Sequence, residues 1–212
     1  MRLVMPPLYV ILDAGLIHGS ALELAKEMLE AGVRLLQYRD KNGAARESLR
    51  TAADLAALAR TRGASFLVND RPDIAVLSGA HGVHVGQDDL DVEQARKIVG
   101  PDRWVGVSTH NREQFVKAAA SSADYIAIGP IYPTTSKVNP DPVVGTELIS
   151  QMRFLTDKPI VAIGGIRLEQ AEEVLRSGAN SVAVISDILA GRDPRERARL
   201  YLQALGNVKP SH

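Results

Sequence analysis

The stretch VRLLQYRDKNGAARESLRTAADLAALAR, residues 33–60, contains the unit that decides the fold. Its first six residues, Val33–Tyr38, are mostly apolar or aromatic, which predicts a buried β-strand. After a polar turn, apolar residues recur at helical spacing over Arg46–Arg60, which predicts an amphipathic helix. The stretch therefore reads as one strand followed by one covering helix.

The same βα unit recurs before and after this stretch, eight times in all. Short strands that are apolar on both faces, each followed by an amphipathic helix, are typical of a parallel sheet covered by its crossover helices. We predict strands at residues 8–12, 33–38, 66–68, 82–85, 104–107, 125–128, 160–163 and 181–185. Eight units favour a single-domain α/β fold, a (β/α)8 TIM barrel over residues 1–206 with a polar tail at 207–212. The alternative, an open doubly wound sheet, usually has about five or six strands.

Composition excludes several classes of function. The 25 basic and 25 acidic side chains cancel, so we expect neither a nucleic acid nor a membrane as partner, and any bound anion needs a local cluster of cations. The absence of cysteine excludes a disulfide framework and thiolate chemistry, and it favours a cytoplasmic location. We expect no secretory signal and no membrane span. The sequence leaves a homo-oligomer open.

The second strand ends in the polar motif Gln37-Tyr38-Arg39-Asp40-Lys41. Alternation along the strand sends Gln37, Arg39 and Lys41 to one side. In a parallel barrel the loops after the strands form one mouth, so two cations and an amide here suit a polyphosphate. The alternative is an exposed charged strand end.

Carboxylates follow the next two strands, Asp70 in the motif NDRP (69–72) and Asp89 in the motif GQDD (86–89). Either could simply cap a helix. Together, across the mouth from Arg39 and Lys41, they form the usual environment for Mg²⁺, which takes one or two carboxylates, waters and substrate phosphate oxygens. We therefore predict a magnesium site.

The fifth and sixth strands add hydroxyl groups and a loop. Ser108 ends strand five beside His110, which is either a general acid or base or a structural residue at a helix start. The loop that begins at Gly129 carries Thr134, Thr135, Ser136 and Lys137, and its length is typical of a functional lid. His81 and His84 have no assigned role.

The last two strands indicate a site for one phosphate group. Gly164 and Gly165 follow strand seven, and Ile185 and Ser186 follow strand eight. Glycines at such turns let backbone N–H groups approach a phosphate, and the loops after strands seven and eight are the recurrent phosphate site of barrels. With a polyphosphate on the other side of the mouth, this predicts group transfer with pyrophosphate as leaving group.

These motifs, in this order, resemble those of the thiamine-phosphate synthase family, from about Tyr9 to Leu189. The resemblance implies a transferase of thiamine biosynthesis that condenses hydroxymethylpyrimidine pyrophosphate with thiazole phosphate. It implies Mg²⁺ on Asp70 and Asp89, and catalytic roles for Arg39, Lys41, Ser108 and Lys137. The pyrimidine substrate would contact Gln37, Arg39, Lys41, Asn69, Ser108 and Lys137. Tyr38 and Asp40 of the same motif are also expected to bind substrate. The thiazole phosphate would contact Thr134, Thr135, Ser136, Gly165, Ile185 and Ser186.

Two other functions stay open at this point. One is a thiazole tautomerase-like isomerase, in which His110 would transfer a proton. It has no need of the cationic set on strand two or of the Asp70 and Asp89 pair. The other is a non-catalytic sensor of phosphorylated ligands, because a fold alone does not establish an activity.

Overall fold

The computed structural model describes residues 5–134, 141–206 and 208, in which strands and helices alternate from start to end. The strands are β1 (Leu8–Asp13), β2 (Leu35–Arg39), β3 (Ser65–Asn69), β4 (Gly82–Val85), β5 (Trp104–Thr109), β6 (Tyr125–Ile128), β7 (Ile160–Ile163) and β8 (Ser181–Val184). The helices are α1 (Ala21–Ala31), α2 (Ala45–Thr61), α3 (Pro72–Leu77), α4 (Val92–Val99), α5 (Arg112–Ala120), α6 (Gly145–Arg153), α7 (Leu168–Arg176), α8 (Ser186–Leu189) and α9 (Pro194–Gly206).

The eight strands form a closed parallel barrel in sequence order. Closure occurs between the first and last strands, where Val10 pairs with Val184 in parallel register. The predicted TIM barrel is therefore confirmed, and the open sheet is excluded, because an open sheet would leave β1 and β8 as unpaired edges.

Alternation along each strand divides the core into two layers. Residues that point into the barrel form an inner cluster that includes Tyr9, Leu35, Leu67 and Tyr125. The residues between them point outward and pack against the helices, as Leu36 does. A fully buried Leu or Phe contributes roughly 1.5–3 kcal/mol, so this double layer dominates the stability of the barrel.

Three helices, α1, α4 and α5, begin at a residue whose side chain caps the first turn. Ser20 caps α1 by accepting a hydrogen bond from the backbone of Glu23, and Asn111 caps α5. Asp91 caps α4 in a reciprocal pair with Gln94, and this leaves Asp89 without a capping role. The alternative reading of Asp89 as a helix cap is therefore wrong.

Most strand bounds agree with the prediction within one residue, and β5 extends two residues further, to Thr109. The second strand begins at Leu35, two residues after the expected start, and the short helix α8 was not predicted. Four residues are too few to show a helical period in a sequence. Across the described ranges, we find no helix with the length and apolar character that a bilayer crossing requires.

Candidate active site

A cavity of about 400 Å³ opens at the carboxyl ends of the barrel strands. Its floor is apolar and includes Ile11, Ile163 and Ala183. Its walls carry predicted site residues from both halves of the chain: Gln37, Arg39, Lys41, Asn69, Asp70, Asp89, Ser108, Thr134, Gly165, Ile185 and Ser186. Barrel closure thus brings together polar groups that are far apart in sequence.

Of the five predicted site residues at the end of β2, three line the cavity and two do not. Gln37, Arg39 and Lys41 face the cavity, whereas Tyr38 and Asp40 do not line it. The Tyr38 ring packs in the outer core layer and its hydroxyl donates to Asp40. Burial, and next to it the Asp40 charge, raise the pKa of Tyr38 to about 12.

Asp40 shapes the turn between β2 and α2. Its carboxylate accepts hydrogen bonds from the backbone N–H of Gly43 at 2.8 Å and from the hydroxyl of Ser48 at 2.9 Å. The Asp40 carboxylate therefore makes its hydrogen bonds within the turn and not at the cavity. That Tyr38 and Asp40 contact substrate stays a prediction, and in the structure both side chains belong to the scaffold that holds the motif.

Arg39 is held by a residue that sequence reasoning missed. Asp13, at the end of β1, is buried and forms an ion pair with Arg39, directly opposite it in the parallel register. A second carboxylate oxygen of Asp13 accepts the backbone N–H of Gly15 at 2.9 Å. In the sequence, Asp13 stands out as an acidic residue at the end of an apolar strand. Its partner, Arg39, is identified by the pairing of β1 with β2 in the barrel.

Asp70 and Asp89 face each other across the ends of β3 and β4. Their carboxylates lie within hydrogen-bonding reach of each other, Lys41 pairs with Asp70, and Asp89 accepts the backbone N–H of Gly86 at 2.8 Å. Burial and the adjacent Asp70 raise the pKa of Asp89. Asp70 also has a backbone φ of 61°, uncommon for a residue other than glycine. Such an acidic pair gains stability from a shared cation.

The Ser108 hydroxyl is hydrogen-bonded to His84, for which the sequence predicted no role. His84 lines the cavity and places Nε2 at 2.8 Å from the Ser108 hydroxyl and Nδ1 at 2.8 Å from the hydroxyl of Tyr125. Its ring stacks on that of Tyr125, and burial lowers the pKa of His84 to about 4. The sequence places His84 within β4, but many histidines in strands are ordinary core residues, so this position alone does not indicate a functional role.

The opposite wall of the cavity is formed by the turns after β7 and β8. Gly165 has a φ of 68°, and an added Cβ would lie 2.4 Å from the carbonyl oxygen of Pro133. Only glycine fits there, so the turn after β7 packs directly against the sixth loop. Next to Ser186, Asp187 accepts hydrogen bonds from Arg197 and from the hydroxyl of Tyr201, which fixes the turn after β8 to α9.

The sixth loop is described at its two ends. Thr134 lines the cavity, whereas the predicted residues Thr135, Ser136 and Lys137 lie outside the described residues. His110 also lines the cavity, with Nδ1 2.6 Å from the carbonyl oxygen of Gly129 and Nε2 3.4 Å from Asp141. Asn111 caps α5, and the backbone N–H of His110 donates to the Gln114 side chain in the first turn at 2.7 Å. His110 is therefore a structural residue just before the helix, and its ring joins the two ends of the loop.

Comparison with known proteins gives concordant results. Residues 8–188 match the family described as thiamine monophosphate synthase. The thiamine-phosphate synthase of Koribacter versatilis is 50% identical over 208 residues, which cover 96% of this chain and 97% of the relative. That of Chlorobium phaeovibrioides is 42% identical and covers 94% of each chain. The solved structure of a thiamine phosphate pyrophosphorylase from Pyrococcus furiosus matches with a TM-score of 0.87 and 34% identity, over 95% of this chain and 96% of that one.

Proposed function

This chain belongs to the thiamine monophosphate synthase family, and from that membership we propose which residues of the barrel mouth carry out the reaction. The resemblance inferred from the sequence motifs is confirmed. The chain is a transferase of thiamine biosynthesis that joins a pyrimidine pyrophosphate to a thiazole phosphate and forms thiamine phosphate. The isomerase and sensor alternatives are set aside, because relatives that match nearly the whole chain are synthases.

The pyrophosphate group of the pyrimidine substrate binds on the wall formed by β2 and β3. Arg39 and Lys41 supply positive charge there, and Asn69 supplies an amide. The observation that carries this proposal is the cavity itself, which gathers both cations around the Asp70 and Asp89 pair although the chain as a whole has no net charge. Asp13 and Asp70 already pair with the two cations, so this arrangement favours an anionic ligand that binds together with a divalent cation.

The acidic pair fits Mg²⁺. Among the described residues, no group of three or more acidic, histidine or cysteine side chains could enclose a metal ion. Two carboxylates facing a phosphate-binding wall match the preference of Mg²⁺ for one or two protein carboxylates together with waters and substrate phosphates. Asp70 and Asp89 would hold the ion, which when bound neutralises part of the pyrophosphate charge.

The bond chemistry then needs no catalytic base. The bond between the pyrimidine methylene carbon and the pyrophosphate oxygen breaks, and its electron pair leaves with pyrophosphate. The methylene cation is stabilised by resonance with the aminopyrimidine ring, and the lone pair of the thiazole nitrogen forms the new C–N bond. Arg39 and Lys41 stabilise the charge that grows on the leaving group, and the walls hold the two rings in reach of each other.

The thiazole phosphate binds on the opposite wall. The backbone of Gly165, the hydroxyl of Ser186 and the side chain of Thr134 line that part of the cavity, with Ile185 beside them. We assign Thr135, Ser136 and Lys137 to the same reaction on the family resemblance alone. Lys137 would add a third cation to the pyrophosphate. Since both substrates are multiply charged and do not cross membranes unaided, we also propose a cytoplasmic location.

Product formation with both substrates tests the proposal. With Mg²⁺ the protein should release pyrophosphate and thiamine phosphate in equal amounts, and EDTA should stop the reaction. Asp89→Asn should raise the Mg²⁺ concentration for half-maximal rate at least about tenfold, equivalent to about 1.4 kcal/mol of binding. Asp91→Asn is the matched control, because asparagine caps a helix as well as aspartate does. Full activity in EDTA would refute the metal site, and absence of product would refute the assignment.

A further inference from the structure

Five polar side chains form a continuous hydrogen-bonded row across the barrel interior. The amide nitrogen of Gln37 donates to the hydroxyl of Tyr9 at 2.5 Å, and the two hydroxyls of Tyr9 and Tyr125 lie 3.2 Å apart. His84 continues the row, with both ring nitrogens at 2.8 Å from their partners, Tyr125 and Ser108. We call these five residues the buried row. Gln37, His84 and Ser108 face the cavity, and the two tyrosines lie behind it.

The buried row is enclosed by apolar side chains. Tyr9 and Tyr125 belong to the inner core cluster and are 1% and 0% exposed, so their hydroxyls depend on each other and on the row for partners. The fold makes room for this arrangement at Gly106, where an added Cβ would lie 2.0 Å from the Tyr125 ring. An unpaired hydroxyl here would cost the full desolvation penalty, so each hydrogen must point to an acceptor.

The orientation of the Gln37 amide sets the direction of the row. Tyr9 accepts from Gln37, so its own hydrogen goes to Tyr125, and the hydrogen of Tyr125 goes to Nδ1 of His84. The imidazole is neutral because it is buried, so it carries one hydrogen, on Nε2, and donates it to Ser108. The hydroxyl hydrogen of Ser108 is then directed into the cavity. Turning the Gln37 amide would reverse every bond at once, so the two ends have linked polarities.

We propose that the buried row fixes the hydrogen-bonding polarity of the pyrimidine site, with Ser108 as donor and the amide oxygen of Gln37 as acceptor. Tyr9, Tyr125 and His84 are the positioning residues. The inference rests on the proposed function. In the pyrimidine of thiamine an amino group, which donates, stands beside a ring nitrogen, which accepts, and this edge complements the two ends of the row. An oxopyrimidine presents the reverse pair, so the row selects the amino ring.

Substrate discrimination tests this proposal. The measured quantity is the ratio of kcat/KM for the amino and the oxo forms of the pyrimidine pyrophosphate, which should be about 10⁴ in the wild type, as for sites built to pair a substrate hydrogen bond. Tyr125→Phe cuts the row but keeps the ring under Gly106, and Tyr9→Phe releases the Gln37 end. Each should lower the ratio at least about tenfold, with KM rising for the amino form and falling for the oxo form.

Two further measurements make the test decisive. Tyr201→Phe removes a buried tyrosine hydroxyl outside the row, and its ratio should equal that of the wild type. The ¹⁵N NMR spectrum of the unmutated protein should show His84 with its hydrogen on Nε2, and a hydrogen on Nδ1 would overturn the proposal even if both phenylalanine variants failed to fold. An active wild type with an unchanged ratio in both variants would overturn this inference alone. A wild type that makes no thiamine phosphate would overturn the proposed function and the inference together.

Discussion

Replacing His84 by glutamine should flatten the dependence of stability on pH. Burial lowers the pKa of His84 from its ordinary value of 6.5 to about 4, although the nearby Asp89 charge acts in the opposite direction. Between those two values the unfolded chain binds a proton that the folded protein does not. The histidine therefore contributes stability that is complete above pH 6.5 and is lost as the pH falls towards 4.

The size of the effect follows from the same two pKa values. One proton corresponds to about 1.4 kcal/mol per pH unit, and integration from pH 7.5 to pH 5 gives a loss of about 2 kcal/mol through His84. The carboxylates of the protein add their own dependence, which the wild type and the variant share. Glutamine does not titrate, so the free energy of unfolding of His84→Gln should fall by about 2 kcal/mol less over this range.

Urea unfolding followed by circular dichroism at 222 nm, at half-unit steps between pH 7.5 and pH 5, measures this difference. His18→Gln is the matched control for loss of an imidazole, because His18 lies exposed in the loop after β1. If His84→Gln and the wild type gave parallel profiles within about 0.5 kcal/mol, the histidine would not be buried as a neutral group and the reasoning would be refuted.

Two other substitutions test the packing that supports the site. Asp13→Asn removes the ionic partner of Arg39 while keeping an acceptor for Gly15, and it should lower the free energy of unfolding by about 2 kcal/mol. Added pyrophosphate supplies a replacement anion, so it should raise the Tm of this variant more than that of the wild type, and equal shifts would contradict the pairing. Gly106→Ala should cost about 1–3 kcal/mol in urea unfolding because its methyl group would overlap the Tyr125 ring, whereas Gly206→Ala, with no atom within 4 Å, should cost nothing measurable.

Much of the site was predictable because a parallel barrel sends every strand end to one mouth. Once eight βα units are counted, the residues that follow each strand must meet, and Arg39, Lys41, Asp70 and Asp89 do so. The same alternation applied to β2 also separates Gln37, which lines the cavity, from Tyr38, which packs in the outer core layer. For these residues the local period of the strand carries the information.

The sequence by itself determined the barrel, the mouth and the identity of the charged groups around it, because these depend on strand period, element order and residue type. Only the tertiary structure decided that Asp13 pairs with Arg39 and that His84 joins Ser108 to two tyrosines. Tyr9 and Tyr125 are 116 residues apart, and their hydroxyls meet through closure and register of the whole barrel. Contacts of that kind arise from the packing of every strand at once, so no local pattern of residues encodes them.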